Sequence, residues 1–245
     1  MSWWQTLCQE LLDMLYPPRC ASCALVGWEG WCKECADHIP YIPLPVCARC
    51  GTPIDPQRFC PFCLAQPPVP EAVRAVARYR GVVRAAIHRF KYEARPSLAP
   101  ALAQLLVQGW QTPLTEPLHA AEAVLPLPIH SRRERERGFN QSLLLAREFC
   151  RNTGLPLLGN VLERVAYRQP QVGLGESERR DNVRDAFRVV QPQAIAGKSV
   201  LLLDDVWTTG STLNEATRAL LAAGARRVFA YTVAHEPLQT SASEY

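Results

Sequence analysis

Two groups of residues in this chain have types and spacings that could do chemistry. The first is Asp204-Asp205, followed by Trp207, Thr208, Thr209, Gly210, Ser211 and Thr212. Residues 200–203 (Val-Leu-Leu-Leu) are apolar and read as a buried strand that delivers two adjacent carboxylates at its carboxyl end. The Ala/Leu-rich stretch 211–225 then reads as a helix. Free N–H groups at a helix start, with Thr and Ser hydroxyls beside them, make an anion cradle. The two carboxylates can accept hydrogen bonds from vicinal hydroxyls. A phosphate and a diol side by side describe a ribose 5-phosphate.

The second group is cysteine. Nine of the 10 cysteines fall in the first 63 residues, and eight of those form the pairs Cys20/Cys23, Cys32/Cys35, Cys47/Cys50 and Cys60/Cys63. A Cys-x-x-Cys turn points two thiolates at one tetrahedral corner, and two turns close a four-sulfur cage about Zn²⁺. Four pairs in a row suit two structural zinc ions better than redox chemistry, which ordinarily uses one pair opening a helix. Sequential pairing gives Cys20, Cys23, Cys32 and Cys35 for one ion, and Cys47, Cys50, Cys60 and Cys63 for the other. Pairing in alternation stays open at this level, as does His38 as a substitute ligand. A segment this short has little core, so the metal would supply its folding free energy.

Basic residues mark two further regions. Between Arg74 and Arg95 lie Arg74, Arg78, Arg80, Arg84, Arg89, Lys91 and Arg95 against Glu93 alone, interleaved with Tyr79, Phe90 and Tyr92. Cations that neutralise phosphates beside aromatics that stack on bases suit single-stranded nucleic acid. The competing reading is a solvated face of a strand–helix unit. Arg132, Arg133, Arg135 and Arg137 cluster after a short apolar run at 123–128. Arginine forks suit phosphate oxygens, although Glu134 and Glu136 could equally pair with them. Residues 164–188 hold six arginines and two glycines with little periodicity, a composition suited to a loop.

The elements that must position these groups alternate strand and helix from about residue 120: a strand at 123–128, helix 141–154, strand 198–206, helix 211–225 and strand 226–234. Strands apolar on both faces predict an α/β domain with a mainly parallel sheet, its ligand beyond the strands' carboxyl ends. The chain of 245 residues is 48% hydrophobic with a net charge of only +4, which excludes both a wholly disordered chain and a histone-like polycation. The expected organisation is an amphipathic helix within 1–19, a double zinc ribbon at 20–63, a Pro-rich linker at 64–70 and the α/β domain at 71–245. The N-terminus lacks signal-peptide features and no stretch could span a bilayer. A cytoplasmic protein is expected, with the first helix a candidate contact to the inner face of the membrane. Gly197-Lys198-Ser199 imitates the end of a Walker A loop, but it precedes its strand instead of following one.

The thirteen residues from Val200 to Thr212 resemble, at every position, the 5-phosphoribosyl-1-pyrophosphate (PRPP) motif of type I phosphoribosyltransferases. The resemblance implies that Asp204 and Asp205 hold the ribose hydroxyls and that Thr208, Thr209, Gly210, Ser211 and Thr212 bind the 5′-phosphate. It also places the pyrophosphate near Arg132, Arg133, Arg135 and Arg137, with Mg²⁺ accompanying PRPP, and a lid over 164–188. The cysteine pairs, Phe90-Lys91-Tyr92, the run 135–141 (Arg-Glu-Arg-Gly-Phe-Asn-Gln), Arg168-Gln169-Pro170-Gln171, Glu178-Arg179 and Asn182 together resemble the ComF, or GntX-like, family over essentially the whole chain. That family implies a role in DNA uptake during natural transformation or in use of external DNA. Its implied partners are PRPP or a nucleotide, single-stranded DNA and a competence helicase or ATPase.

Only His235 to Tyr245 follow the last strand, so a base-selecting hood is not expected and the acceptor of any transfer is unreadable. His235 and Glu236 could face the site. Three readings follow: a PRPP-binding competence protein, an active phosphoribosyltransferase, and a DNA-binding adaptor with a vestigial site. The complete motif argues against the third.

Overall fold

The computed structural model describes residues 3, 17–55, 58–165 and 186–236. The expected N-terminal helix, the quoted residues 168–171, 178, 179 and 182, and most of the expected lid lie outside the described residues.

The body is a four-stranded parallel sheet. Its strands are β1 (Val73–Arg78), β2 (Ala123–Pro126), β5 (Ser199–Trp207) and β6 (Arg227–His235), in the order β1-β6-β5-β2. Two short strands, β3 (Leu162–Arg164) and β4 (Phe187–Val189), form a separate antiparallel pair. Both short helices, α1 (Lys33–Asp37) and α2 (Pro61–Ala65), belong to the cysteine segment. The longer ones are α3 (Gly81–Tyr92), α4 (Ala99–Trp110), α6 (Gln141–Thr153) and α7 (Ser211–Ala222), with the seven-residue α5 (Ser131–Arg137) between β2 and α6.

The strands are buried on both faces because alternate residues enter different cores. Leu201 and Leu203 of β5 join Phe229, Tyr231 and Val233 of β6 in a core closed by α3, α4 and α6. Val200 and Leu202 join Val228 and Ala230 in a second core, closed by Leu213, Ala216 and Leu220 of α7 and by the second cysteine tetrad.

Both sheet edges are covered. On the β1 edge, Ile42 N–H donates to Val76 O at 3.0 Å and Arg78 N–H to Pro40 O at 2.8 Å. On the β2 edge, Leu158 N–H donates to Val124 O at 2.8 Å. Covering an edge removes a template for unwanted strand pairing. The cysteine segment is therefore fastened to the sheet, and the Pro-rich join at 64–70 lies on the body: Val69 N–H donates to the Asn214 side chain at 2.9 Å. Among the described residues, no helix is long and apolar enough to cross a membrane.

Candidate functional site

All four parallel strands point their carboxyl ends the same way, and a cleft of about 360 Å³ opens beyond them. β5 carries Asp204 and Asp205 into it, and Thr208 and Thr212 line the same cleft. The turn between them depends on Gly210, whose φ of +76° is left-handed. A Cβ there would stand 2.7 Å from the indole nitrogen of Trp207. Trp207 is buried and stacks on His235 at 4.4 Å between ring centroids. Thr209 and Ser211 share a hydroxyl hydrogen bond of 3.0 Å at the start of α7.

The acidic pair is held from two sides. Asn140 caps α6, its side-chain oxygen accepting from Ser142 N–H at 3.0 Å. That puts Ser142 in the first turn, where its hydroxyl donates to Asp204 Oδ1 at 2.7 Å. From α3, the Lys91 ammonium reaches Asp205 Oδ1 at 2.8 Å. Asp205 Oδ2 is buried with no hydrogen-bond partner. Burial, and then the charge of Asp205, push the Asp204 carboxyl up to about 7, against the opposing pull of Lys91 and Ser142.

The arginine run is the short helix α5, capped by His130 and closed by left-handed Gly138. Helical spacing sorts its members. Arg133 lines the cleft. Arg137, one turn on, is half-buried, lies 5.9 Å from the centre of the Tyr92 ring and bonds to Gln141. Arg132 pairs with Glu136 at 2.9 Å on the exposed side, and Arg135 is also exposed. Of the two groups expected after the last strand, Glu236 lines the cleft, whereas His235 ends β6 and does not: it lies under Trp207, and burial holds its imidazole down at about 4.

The residues proposed for nucleic acid do not form one surface. Arg80 and Arg84 are exposed and Arg78 is half-exposed. Arg74 is buried, and its guanidinium donates to Leu114 O at 2.8 Å, Val73 O at 2.8 Å and Ala48 O at 3.1 Å. Arg89 donates to Cys20 O at 2.8 Å and Ala21 O at 2.9 Å. Lys91 lies in the cleft. A solvated basic strip is thus the wrong picture for three of the seven. Arg74 and Arg89 face backbone carbonyls of the cysteine segment, and Lys91 faces a buried carboxylate. Sequence reasoning missed Lys91, Gln141, Ser142 and Arg164 as neighbours of the cleft. The Asn140 cap was the available signal for Ser142.

Eight cysteines form two tetrads paired sequentially, Cys20/Cys23/Cys32/Cys35 and Cys47/Cys50/Cys60/Cys63, with all four Sγ atoms of each within 4.8 Å of one another. Alternating pairing is excluded, and His38 takes no part, its Nδ1 lying 2.7 Å from Glu34 O. Cys20 N–H donates to Leu25 O and Cys47 N–H to Thr52 O, closing the two knuckles. Burial pushes the Cys20 thiol up, but N–H groups of Cys32, Cys23 and Ser22 outweigh it and bring it to about 6. The same contest takes Cys47 to about 7, while burial and thiol neighbours drive Cys35 to about 12 and Cys50 to about 11. Crowded thiols that resist ionising together are what a divalent cation with four soft ligands relieves. The donor set fits two structural Zn²⁺ ions with no open position.

Comparison with known proteins gives two family models and several relatives. A double zinc ribbon domain model matches residues 11–64, and a phosphoribosyl transferase domain model matches residues 150–245. Competence protein F of Haemophilus influenzae is 32% identical over 216 residues, covering 86% of this chain and 93% of that protein. The DNA utilization protein YhgH of Salmonella typhimurium is 33% identical over 207 residues, covering 84% and 89%. Competence protein ComFC of Bacillus subtilis is 26% identical over 203 residues, covering 80% of each.

Proposed function

The chain belongs to the ComF family of competence and DNA-utilisation proteins, and from that premise we propose that its cleft binds PRPP and that ligand occupancy governs handling of single-stranded DNA. One observation carries the reading: the buried pair Asp204-Asp205 opens into the same cleft as the phosphate-type loop at the start of α7. Asp205 Oδ2, buried and without a partner, is an acceptor suited to a ribose hydroxyl. Asp204 keeps acceptor capacity beside its Ser142 bond. Thr208, Thr209, Gly210, Ser211 and Thr212 offer hydroxyls and the first N–H groups of a 12-residue helix to the 5′-phosphate. Arg133 extends a fork into the cleft for the pyrophosphate. Mg²⁺ takes one or two carboxylates plus substrate phosphates. Glu236 at the cleft is an oxygen donor of that kind, and the ion would neutralise charge on the pyrophosphate.

Titration calorimetry with PRPP and Mg²⁺ tests this. The zinc-loaded wild type should bind, and the double variant Asp204→Asn/Asp205→Asn should not. Unchanged binding by the double variant would overturn the reading. Pyrophosphate release measured across a panel of nucleobases separates a transferase from a PRPP-responsive binder. For DNA, the exposed set is Arg78, Arg80 and Arg84. Single-strand affinity should fall steeply with salt and weaken when these three become Ala. An affinity indifferent to salt would remove the nucleic-acid arm.

A further inference from the structure

Lys91 has no place in the phosphate chemistry above, yet it is the only group paired with Asp205 among the described residues. Its ammonium sits 2.8 Å from Asp205 Oδ1, with the lysine side chain 17% exposed and the carboxylate 3%. It is also well anchored. Lys91 lies in the last turn of α3, where the negative end of the helix dipole favours a cation. On one side of it, Phe90 is fully buried against Phe139 at 5.3 Å between ring centroids. Two residues before it, Arg89 ties the same turn to the carbonyls of Cys20 and Ala21 at the first zinc knuckle. A long flexible side chain is thus delivered to one oxygen from a fixed helix end.

We propose that Lys91 is the resident counter-cation of the acidic pair, and that it lets the cleft hold a ribose 5-phosphate without a divalent metal ion. The inference rests on the PRPP-site reading and deepens it. Two adjacent buried carboxylates repel each other, and presenting both as acceptors needs a neighbouring positive charge. Lys91 supplies that charge from the protein. It occupies Oδ1 of Asp205 and leaves the buried Oδ2 without a hydrogen-bond partner. Ser142 does the corresponding work at Asp204 with a neutral donor. Metal dependence then belongs to the pyrophosphate half of PRPP, whose charge the chain meets with Arg133, and not to the ribose half. Lys91 is accordingly a positioning residue, acting through Asp205.

The experiment is calorimetry of ribose 5-phosphate binding to the full-length, zinc-loaded protein. Buffers are freed of Mg²⁺ by ion exchange, because a chelator would strip the cysteine tetrads. Wild type should bind with the same affinity within roughly threefold whether or not Mg²⁺ is added. Lys91→Met should lose roughly tenfold or more without Mg²⁺, the scale of one charge-assisted hydrogen bond, and regain part of it when Mg²⁺ is supplied. Lys91→Arg, which keeps the charge, should fall between the two. A zinc content of two ions per chain and a cooperative unfolding transition well above the assay temperature certify the fold of each variant.

A wild type that requires Mg²⁺ for ribose 5-phosphate overturns the proposal without any variant. So does a folded Lys91→Met that binds as wild type in metal-free buffer. If PRPP binds in an Asp204- and Asp205-dependent way while ribose 5-phosphate needs Mg²⁺, only the role of Lys91 falls. If neither ligand binds under any condition, the site reading falls with it.

Discussion

Replacing Arg74 separates two accounts of the basic segment, one structural and one nucleic-acid-binding. Arg74 is 3% exposed, and its three short hydrogen bonds go to the carbonyls of Leu114, Val73 and Ala48. They join β1 to the second cysteine knuckle and to the turn after α4. Burial pushes the guanidinium's pKa down, and the thiolates of Cys47 and Cys50 oppose that shift. A zinc ion with four thiolates carries a net charge of about −2, so this arginine also stands as a counter-charge beside the metal. Arg74→Met orphans three carbonyls. At about 1 kcal/mol each, the low end for a buried unpaired group, the loss is about 3 kcal/mol. For a chain of this length that lowers the melting temperature by roughly 6–12 °C. Thermal unfolding, with zinc release followed by a chromophoric chelator, reads both consequences. Release should quicken for one of two ions. Arg74→Lys keeps the charge but not the fork and should recover less than half of the loss. If Arg74→Met melts within about 0.5 kcal/mol of wild type while its salt slope on single-stranded DNA drops by about 1, the arginine is a phosphate contact and the structural reasoning is refuted.

Three other outcomes are expected. Asp204, raised to about 7 from an ordinary carboxylate value, binds its proton more tightly folded than unfolded, so its contribution to stability is fully present below about pH 4 and is lost as pH rises through about 7. Asp204→Asn should therefore gain on wild type between pH 4 and pH 8 by up to about 4 kcal/mol in urea unfolding, and an equal difference at both ends contradicts the burial argument. Gly210→Ala forces a left-handed residue and a Cβ 2.7 Å from the Trp207 indole nitrogen; a cost of about 1–3 kcal/mol and a marked loss of PRPP affinity are expected, and wild-type calorimetry would show that the turn is not the phosphate loop. Cys60→Ser should lower zinc from two ions per chain to one by elemental analysis, whereas loss of both would mean that the tetrads are not independent sites.

The sequence made some of this structure legible and concealed the rest for reasons that can be stated. The cysteine tetrads were readable because Cys-x-x-Cys is a local geometry: a turn of four residues sets where both sulfurs point. Strand β5 was readable because burial on both faces leaves an unbroken apolar run, and its acidic end then had to meet the ligand edge of a parallel sheet. The linker at 64–70 read as a spacer because proline composition reports stiffness, and cannot report that Asn214 would accept a hydrogen bond from Val69. In the arginine run, alternation of Arg and Glu hid the helix, although spacing of four places Arg133 and Arg137 on one face and leaves the Arg132–Glu136 pair on the other.

The basic stretch shows the deeper limit. Charge along a chain is a one-dimensional count, whereas the destination of each charge is set by what distant segments present to it. Arg74 is drawn inward by carbonyls of residues 48 and 114, Arg89 by those of residues 20 and 21, and Lys91 by Asp205. None of these partners neighbours its cation in sequence. The grouping of zinc ribbon, basic segment and acidic strand end within one chain then has a physical reason. Helix α3 touches the first knuckle through Arg89 and the cleft through Lys91, so the metal-built segment helps fix the cation that balances the acidic pair. A ribbon fastened in this way is part of the framework of the cleft, and displacing its zinc should disturb ribose binding even though no cysteine lies in the site.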